Sequence, residues 1–514
     1  MPAKDSQYTM LVLSATVERA ALAAFRAWLE KVGWTAETLV PHNRSRHEWT
    51  TFFIPSVQQY FANVPTELRG PGPHAWVHTL EIPPAESELL LSAHQGVHSL
   101  CLQDVTCVSF STGIVLVGLR LAPTTAEVDA SEVLPQFVRI VGTLARLDAD
   151  AKPNRLRIPG ERCASLPFSI RELAAGCLKG SPLLARKELV EARRHDLQHR
   201  HAALDRPVLS EKASTEVQGA EASVPSPDDS LGLKWRRQRT AFALTFIQQV
   251  GAEPDTARCA ADLWRLQHAY TEEHLPAARD LTLTEPSILE LGRGFLVACS
   301  HNGVAILHRP ESEGQDDARR AARVRRAYFL HAALVLHQRL ELARLLERAA
   351  ALPVLQQVLQ DPTSADQVKT LRSDMLEFTL RHRFAVVSEE PYYLRFYERL
   401  SDAFRLESLL VELRDETEAL ARLSDEQARD EAARARDLRG LRTTEESKLL
   451  GRMLAGLGGL SLALSMLSSS LPYVGHASPG PTKLIVALLV AVLPSMWVQR
   501  VVARTTELDL SRRS

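Results

Sequence analysis

The stretches MLAGLGGLSLALSMLSSSL (residues 453–471) and LIVALLVAVLPSMWVQ (residues 484–499) decide the predicted fold, because neither carries a charge. A helix needs about 20 apolar residues, with a lower limit of about 17, to cross a bilayer core. The first stretch is long enough, and the second is long enough if the side chain of Arg500 reaches the interface. With residues 472–483 as the connecting loop, the sequence predicts a two-helix transmembrane hairpin. A hairpin buried in a water-soluble core is the alternative.

Basic residues flank the two apolar stretches. Six of them lie between residues 434 and 452, four follow the second stretch, and the connecting loop has only Lys483. Segments with an excess of Lys and Arg stay on the cytoplasmic side of a membrane. The charges therefore predict an inner-membrane protein with both termini in the cytoplasm and the loop outside.

The bulk composition limits the class of protein. The chain has 514 residues and a formal net charge of −1, so its overall charge gives no reason to expect a nucleic-acid partner. Its six cysteines are scattered and include no Cys-x-x-Cys pair, which fits a reducing compartment. The N-terminal residues lack the apolar core of a cleaved signal peptide. These properties predict a large cytosolic region ahead of the hairpin.

Composition and hydrophobic spacing divide the chain into five segments. Residues 1–180 interleave predicted strands and helices, as in an α/β or α+β domain. A charged helix and a flexible linker follow at 181–234, and a second cytosolic part with helices, a β-hairpin and a long helix at 235–365. Stalk helices fill 366–452, before the hairpin and a basic tail at 453–514. The predicted fold class is an α+β cytosolic region followed by a long stalk helix and the transmembrane hairpin.

Residue spacing places the individual elements. Strands are predicted at residues 10–14, 49–54, 105–111, 114–121, 294–300 and 304–308, and helices at 17–32, 132–147, 241–250, 257–270 and 316–351. Thr112-Gly113 and Asn302-Gly303 have the composition of tight turns. The strands on either side of each turn are therefore predicted to form hairpins.

The stalk is predicted to be one long helix that needs a partner. No proline occurs between residues 392 and 471, which as an unbroken helix would be about 120 Å long. Mostly apolar residues at spacings of four and three predict a coiled-coil-like seam. The seam consists of Leu406, Leu410, Leu413, Thr417 and Leu420. We expect copies of the same chain to cover it, so the chain is predicted to be a homo-oligomer.

The sequence contains none of the common motifs for covalent chemistry, and the chain is predicted not to be an enzyme. It has no Gly-x-x-x-x-Gly-Lys-Ser/Thr loop, no Gly-x-Gly-x-x-Gly segment after a strand and no Gly-x-Ser-x-Gly motif. One basic cluster could bind a nucleotide, anionic lipid or RNA, or could form salt bridges within or between subunits. The cluster comprises Arg319, Arg320, Arg323, Arg325 and Arg326. On the helix that follows, His337 and Glu341 share one face and are expected to be a satisfied core pair.

Small and hydroxylated residues share one face of the first apolar stretch. They are Gly458, Ser461, Ser465 and Ser468. Such a face could line a water-filled pore, or it could allow close packing between helices. The second stretch has no such face, so we expect the first stretch to lie inside and the second to face lipid.

The arrangement of a long helix, a first apolar span, a short loop, a second span and a basic tail resembles the CorA-like divalent-cation transporters. The segment FYERL (396–400), near the start of the long helix, is similar to the same region of that family. The resemblance covers residues 366–514 and implies a pentamer whose first span lines the pore. It also implies a pore mouth at Tyr473, Gly475 and His476, where the family has Gly-Met-Asn.

The resemblance further implies a function and a transported or regulatory ion, Mg²⁺ or another divalent cation, with no covalent cofactor. The stalk carboxylates that could hold this ion between subunits, or could be ordinary solvated charges, are Glu407, Glu412, Asp415, Glu416 and Glu418. The implied function is an ion channel or transporter for divalent cations, gated by its cytosolic region. The alternative is a ligand- or nucleotide-gated membrane effector, as in a defence or signalling system. Its soluble part, with the basic cluster, would bind a nucleotide signal or a partner protein, and its hairpin would depolarise or disrupt the membrane. A membrane-anchored scaffold is a third class.

Overall fold

A computed structural model of the chain describes residues 7–36, 52–61, 74–83, 86–93, 96–124, 130–146, 155–157, 169–181, 232–236, 238, 240–249, 256–277, 288–292, 294–309, 321–352 and 362–470. The chain divides into two compact units, Met1–Leu420 and Ala421–Ser514. The described strands all belong to the first unit.

Twelve strands of the described part form one sheet. They are β1 (Tyr8–Thr16), β2 (Thr35–Ala36), β3 (Ala75–Glu81), β4 (Glu88–Ala93), β5 (Gly96–Phe110), β6 (Ile114–Pro123), β7 (Arg155–Arg157), β8 (Lys234–Trp235), β9 (Phe242–Gln248), β10 (Ile288–Gly292), β11 (Phe295–Cys299) and β12 (Gly303–His308). Their order is β10-β11-β12-β9-β1-β6-β5-β3-β2, with β4 paired to β5, β7 to β4 and β8 to β1. Among these pairs only β9 and β12 run parallel.

Nine α-helices of the described part complete the fold. They are α1 (Leu22–Lys31), α2 (Pro55–Phe61), α3 (Ala130–Leu144), α4 (Ile170–Leu178), α5 (Thr256–His268), α6 (Phe329–Ala350), α7 (Pro362–Arg381), α8 (Pro391–Ala403) and α9 (Leu406–Ser470). A π-helical turn, Val324–Tyr328, leads directly into α6.

The central strand β1 separates two hydrophobic cores. Its side chains alternate across the sheet, with Leu11, Leu13 and Ala15 in one core and Met10 and Val12 in the other. Helices α1, α3, α4 and α5 contribute to the first core, and α2, α6 and α8 to the second. The described part of the first unit is therefore a sheet covered by helices on both faces.

The two predicted hairpins are present. Strands β5 and β6 meet at Thr112-Gly113, and β11 and β12 meet at residues 300–302. Gly113 has a φ of +93°, and a Cβ there would lie 2.4 Å from the carbonyl oxygen of Val17. Only glycine fits this turn, because both the backbone angle and the space exclude a side chain.

Two of the predicted local elements are wrong. Residues 241–250 were expected to be helical, but Phe242–Gln248 is a fully buried strand between β1 and β12. A short apolar run fits a buried strand as well as a helix, so its spacing could not separate the two. Within the predicted strand 49–54, residues 52–54 are not extended in a sheet and instead precede α2.

Strands from the two predicted cytosolic parts belong to the same sheet. In the antiparallel pair of β1 and β9, Leu11 lies opposite Ala243. The sheet is thus continuous from the strands of 1–180 to those of 235–365. The charged helix and most of the linker predicted at 181–234 lie outside the described residues.

The first part of the predicted stalk seam is covered by the same chain. The expected unbroken helix is interrupted at Arg405, whose φ is +52°, between α8 and α9. Beyond it, Leu410 and Leu413 are buried in a cluster with Leu342 of α6 and Phe378 of α7. These leucines therefore have their partners within one chain, and self-association stays a prediction.

The predicted transmembrane hairpin is wrong. In the part of the chain that the structure describes, no helix is both long enough and apolar enough to cross a membrane. Helix α9 is long, but charged residues continue along it as far as Arg452. The predicted inner-membrane location, with both termini in the cytoplasm, is wrong for the same reason. The description of the chain as a membrane channel loses its support, whereas ion transport itself is not tested. The second stretch, 484–499, lies outside the described residues.

In the second unit, the helix residues from 429 to 455 are exposed all round. Seven large apolar side chains between residues 438 and 457 are exposed. They are Leu438, Leu441, Leu449, Leu450, Met453, Leu454 and Leu457. Of the predicted pore-lining residues, Gly458 and Ser461 are exposed, whereas the side chains of Ser465 and Ser468 lie outside the described set.

Candidate functional site

A pocket walled by aromatic rings lies on the face of the sheet that α2, α6 and α8 cover. Its volume is about 500 Å³. We name it the aromatic pocket, and it is lined by Phe52, Leu291, Gly292, Phe295, His308, Arg323, Val324, Tyr328, Glu390, Tyr392 and Tyr393. Pockets of about 300 to 1,000 Å³, with apolar walls and a few polar groups, are typical of small-molecule sites.

Four rings from distant parts of the chain form the wall of this pocket. Tyr328 ends the π-helical turn, and its ring centroid lies 5.1 Å from that of Tyr393, in the first turn of α8. Phe52 lies 4.7 Å from Tyr393, and Phe295 of β11 lies 5.8 Å from Tyr328. Both tyrosines are buried, whereas the two phenylalanines are half-buried. The wall is therefore anchored in the core and leaves ring surface for a ligand.

The pocket contains one positive and one negative side chain. The guanidinium carbon of the exposed Arg323 lies 6.0 Å from the ring centroid of Phe52, within cation–π range. Glu390, directly before α8, lines the same pocket and is exposed to solvent. Burial raises the pKa of Tyr393 to about 12, against the opposing effect of Arg323. This tyrosine therefore keeps its proton at neutral pH and can donate a hydrogen bond.

The π-helical turn that directly follows Arg323 is joined to the sheet by an ion cluster around the buried Asp104. Arg325 Nη2 lies 2.7 Å from Asp104 Oδ2, and Arg120 Nε donates to the same oxygen at 2.9 Å. Asp104 lies at an irregularity in the pairing of β5 with β6. Arg323 and Arg325 are two residues apart, yet one faces the aromatic pocket and the other the sheet. π-Helical turns occur often at functional sites.

A neutral histidine supports the wall from behind. The ring of His331 stacks on Phe53 at 4.4 Å and on Tyr393 at 5.3 Å. Its Nδ1 lies 2.6 Å from the carbonyl oxygen of Ala327, so Nδ1 carries the proton. Burial lowers the pKa of His331 to about 4. The ring therefore holds Tyr393 in place without adding charge.

A second polar cluster lies deeper, where α2, α6 and the end of α7 meet. Tyr60 Oη lies 2.8 Å from His382 Nδ1 and 3.4 Å from His337 Nδ1, and His337 Nε2 lies 3.0 Å from Thr112 Oγ1. Burial lowers the pKa of both histidines, that of His382 to about 3. Within the described ranges no group of three or more His, Cys, Asp and Glu side chains could hold a metal ion. This cluster is an interior hydrogen-bond network of neutral rings.

The expected core pair of His337 and Glu341 is satisfied through other partners. Glu341 Oε1 accepts from Arg344 at 2.7 Å, and the same guanidinium donates to the carbonyl oxygen of Thr112 at 2.8 Å. Burial raises the pKa of Glu341, and the charge of Arg344 opposes that shift. The two residues share one region of the core but not one hydrogen bond.

The predicted basic cluster is divided by the structure. Arg323 faces the aromatic pocket, Arg325 forms a salt bridge within the chain, and Arg326 is exposed. Arg319 and Arg320 lie outside the described residues. The salt-bridge alternative therefore holds for Arg325, and the anion-binding alternative stays a prediction for Arg323.

The predicted stalk carboxylates do not converge. Glu407 lies 2.9 Å from Arg383, and Glu418 lies 3.4 Å from Arg414. The others are exposed on α9, namely Glu412, Asp415 and Glu416. A cation site between subunits stays a prediction. The predicted pore-mouth residues, which are Tyr473, Gly475 and His476, lie outside the described residues.

The aromatic wall could not be identified from the sequence. Tyr328 stands beside the basic cluster and was visible there, but Phe52, Phe295 and Tyr393 come from three other segments. No local spacing connects them. Aromatic residues in each segment look like ordinary core residues until the segments are brought together.

No protein-family model, no curated protein and no solved structure matches this chain. A function must therefore be argued from the chain's own residues, and the resemblance to CorA-like transporters stays a prediction.

Proposed function

We propose that this chain is a ligand-binding protein and that its aromatic pocket binds a nucleotide. The observation that carries the proposal is an exposed arginine, Arg323, beside a pocket of about 500 Å³ walled by aromatic rings. A nucleotide combines the two features that such a pocket recognises, a planar ring and an anionic phosphate. The proposal requires no covalent chemistry.

The half-buried ring of Phe52 and the ring of Tyr392, which is 51% exposed at the edge of the pocket, supply the surface for the base. The buried ring of Tyr393, with its centroid 4.7 Å from that of Phe52, supports this surface from behind. Stacking of one base on an aromatic side chain contributes about 1 to 3 kcal/mol. Because every base has a flat face, stacking favours nucleotides as a class without selecting among them.

Arg323 and Glu390 supply the polar contacts. A guanidinium matches a phosphate with two parallel hydrogen bonds, which a lysine cannot reproduce. The carboxylate of Glu390 can accept a hydrogen bond from an exocyclic amino group, whereas it would repel a second phosphate. The pair therefore favours a monophosphate whose base carries an amino group, such as AMP.

Calorimetric titration of the full chain with related probes tests the proposal. We expect AMP to bind, and adenosine and ribose 5-phosphate each to bind about tenfold or more weakly, because each lacks one of the two recognised parts. Inosine monophosphate, which lacks the amino group, should also bind more weakly than AMP. If AMP does not bind at millimolar concentration, the proposal is wrong.

Substitutions in the pocket assign each contact. Arg323→Ala should weaken AMP but leave adenosine unchanged, whereas Tyr393→Leu should weaken both probes. Arg395→Ala is the matched control, because Arg395 is an exposed arginine on α8 that does not line the pocket. Equal effects of Arg323→Ala and Arg395→Ala would show that only the net charge matters.

A further inference from the structure

A second cavity lies where α1 meets β2 and β3, at one end of the strand order of the sheet. Its volume is about 310 Å³. We name it the α1 cavity, and its lining consists of Ala23, Arg26, Ala27, Glu30, Ala36, Phe61, Trp76, Val77 and His78. None of these residues lines the aromatic pocket. It contains a cation, an anion and a neutral imidazole within a mostly apolar lining.

Arg26 is held in one orientation. Its guanidinium carbon lies 3.3 Å from the ring centroid of Trp76, and its Nε donates to the carbonyl oxygen of Leu22 at 3.2 Å. Stacking on an indole and one committed hydrogen bond position the planar group before any ligand arrives. The two terminal nitrogens make no hydrogen bond to a described residue, so they can pair with a carboxylate.

Glu30 lies one helical turn after Arg26, yet the two side chains are not paired. Residues at this spacing on a helix can form an ion pair, although arginine before glutamate is the weaker order. Here the stacking on Trp76 holds Arg26 away, and no ion pair within 4.0 Å joins the two side chains in the described structure. The cavity therefore presents separated positive and negative charges.

His78 adds a hydrogen-bond donor between these charges. It is buried on β3, and its Nε2 lies 4.0 Å from a carboxylate oxygen of Glu30. Burial, together with the nearby charge of Arg26, lowers the pKa of His78 to about 4. At neutral pH the ring is uncharged, and the carboxylate that faces Nε2 favours the proton on that nitrogen.

We propose that the α1 cavity binds a small zwitterion of the α-amino acid class, with its carboxylate on Arg26 and its ammonium group on Glu30. The Nε2–H group of His78 faces the carboxylate of Glu30 and stabilises its negative charge. The apolar lining, which includes Phe61 and Val77, faces the side chain of the ligand. This proposal concerns a different cavity and does not depend on nucleotide binding.

Titration of the full chain with three probes tests the proposal. L-Alanine carries both charges, acetate lacks the ammonium group and methylamine lacks the carboxylate. We expect L-alanine to bind about tenfold more tightly than either of the others, because each loses one charge-assisted contact. If acetate binds as well as L-alanine, the cavity is a simple anion site and the proposal is wrong.

Two substitutions separate the contacts. Arg26→Lys keeps the charge but loses the planar group, and should weaken L-alanine about tenfold. Glu30→Gln should weaken L-alanine and strengthen acetate, since it removes a negative charge near the bound anion. Glu18→Gln, an exposed carboxylate just before α1, is the matched control. Because Glu30 is exposed, its variant should fold even if Arg26→Lys does not. If Glu30→Gln changes neither affinity, the proposed ammonium contact is absent and the proposal fails.

Discussion

Replacement of Asp104 by asparagine should be among the most damaging single changes of a polar residue in this fold. The carboxylate is 3% exposed and accepts hydrogen bonds from Arg120, itself 5% exposed, and from Arg325. Asparagine keeps the shape and one acceptor oxygen but removes the negative charge. The buried guanidinium group of Arg120 and the partly exposed one of Arg325 would then lack their counter-charge.

The two arginines should contribute unequally to the cost. Removal of one member of a buried ion pair costs about 3 to 5 kcal/mol, and we expect Asp104→Asn to lie in that range because Arg120 stays buried. Arg325→Ala should cost about 1 kcal/mol, since the side chain of Arg325 is 36% exposed. Arg325→Ala should also weaken AMP binding, because Arg325 anchors the π-helical turn that directly follows Arg323.

Urea unfolding at pH 7, followed by near-ultraviolet circular dichroism, measures these costs. The cost of Asp104→Asn should persist in 1 M NaCl, because buried charges are screened little by salt. The double substitution Asp104→Leu with Arg120→Met replaces the pair by apolar groups and should cost less than Asp104→Asn alone. A cost of Asp104→Asn below about 1 kcal/mol, or a double variant that is no better, would refute the reasoning.

Three further predictions concern the fold. Leu413→Ala should lower the free energy of unfolding by about 2 to 5 kcal/mol, because it leaves a cavity among α6, α7 and α9. Leu438→Ala, at an exposed position of α9, should change it by less than about 0.5 kcal/mol. Equal costs in urea unfolding would contradict the packing of this part of the seam within one chain. The folded pKa of His331, about 4, lies below its unfolded value of 6.5. The free energy of unfolding should therefore fall as pH drops from about 6.5 towards 4, by up to about 1.4 kcal/mol per pH unit. His331→Phe should remove this contribution to the pH dependence, as measured by urea unfolding between pH 7 and 5. Gly113→Ala should lower the free energy of unfolding by about 1 to 3 kcal/mol, because of the positive φ and the close carbonyl oxygen. Gly440→Ala, in an open helical position, should stabilise the helix by about 0.5 to 1 kcal/mol. Thermal unfolding that ranks the two variants in the reverse order would contradict the assigned turn.

Substitutions of leucines on α9 can separate self-association from folding. If copies of the chain associate through the exposed part of α9, replacing Leu438 and Leu441 by serine should lower the mass measured by light scattering without changing the unfolding of the first unit. Replacing Leu413 should act on unfolding alone. An unchanged mass in the serine variant would show that these two leucines contact no second copy.

Elements that depend on neighbouring residues could be predicted. The hairpin at Thr112-Gly113 was recognised because glycine supplies a positive φ that the turn requires. Helices α3 and α5 were recognised because their apolar residues repeat at helical spacing. In these segments a local rule and the final structure agree, since the tertiary fold only has to cover an apolar face that already exists.

Features that depend on distant partners could not be predicted. The apolar run at Phe242–Gln248 is compatible with two conformations, and pairing with β1 and β12 selects the strand. Leu410 and Leu413 have the spacing of an intersubunit seam, but that spacing does not say whether the partner helix belongs to another chain or to α6 and α7.

The candidate site combines features that the local sequence could predict with features that depend on distant contacts. An accumulation of arginines before α6 was visible in the sequence and pointed to an anion or to salt bridges. Whether each arginine meets a ligand or a carboxylate depended on the π-helical turn, which directs Arg323 to the pocket and Arg325 to Asp104. The ring wall needed Phe52 and Tyr393, more than three hundred residues apart, to meet across the core. Local sequence sets the chemistry that each segment carries, whereas long-range packing sets which of those groups share one space, because contact between distant segments leaves no periodic signal in either of them.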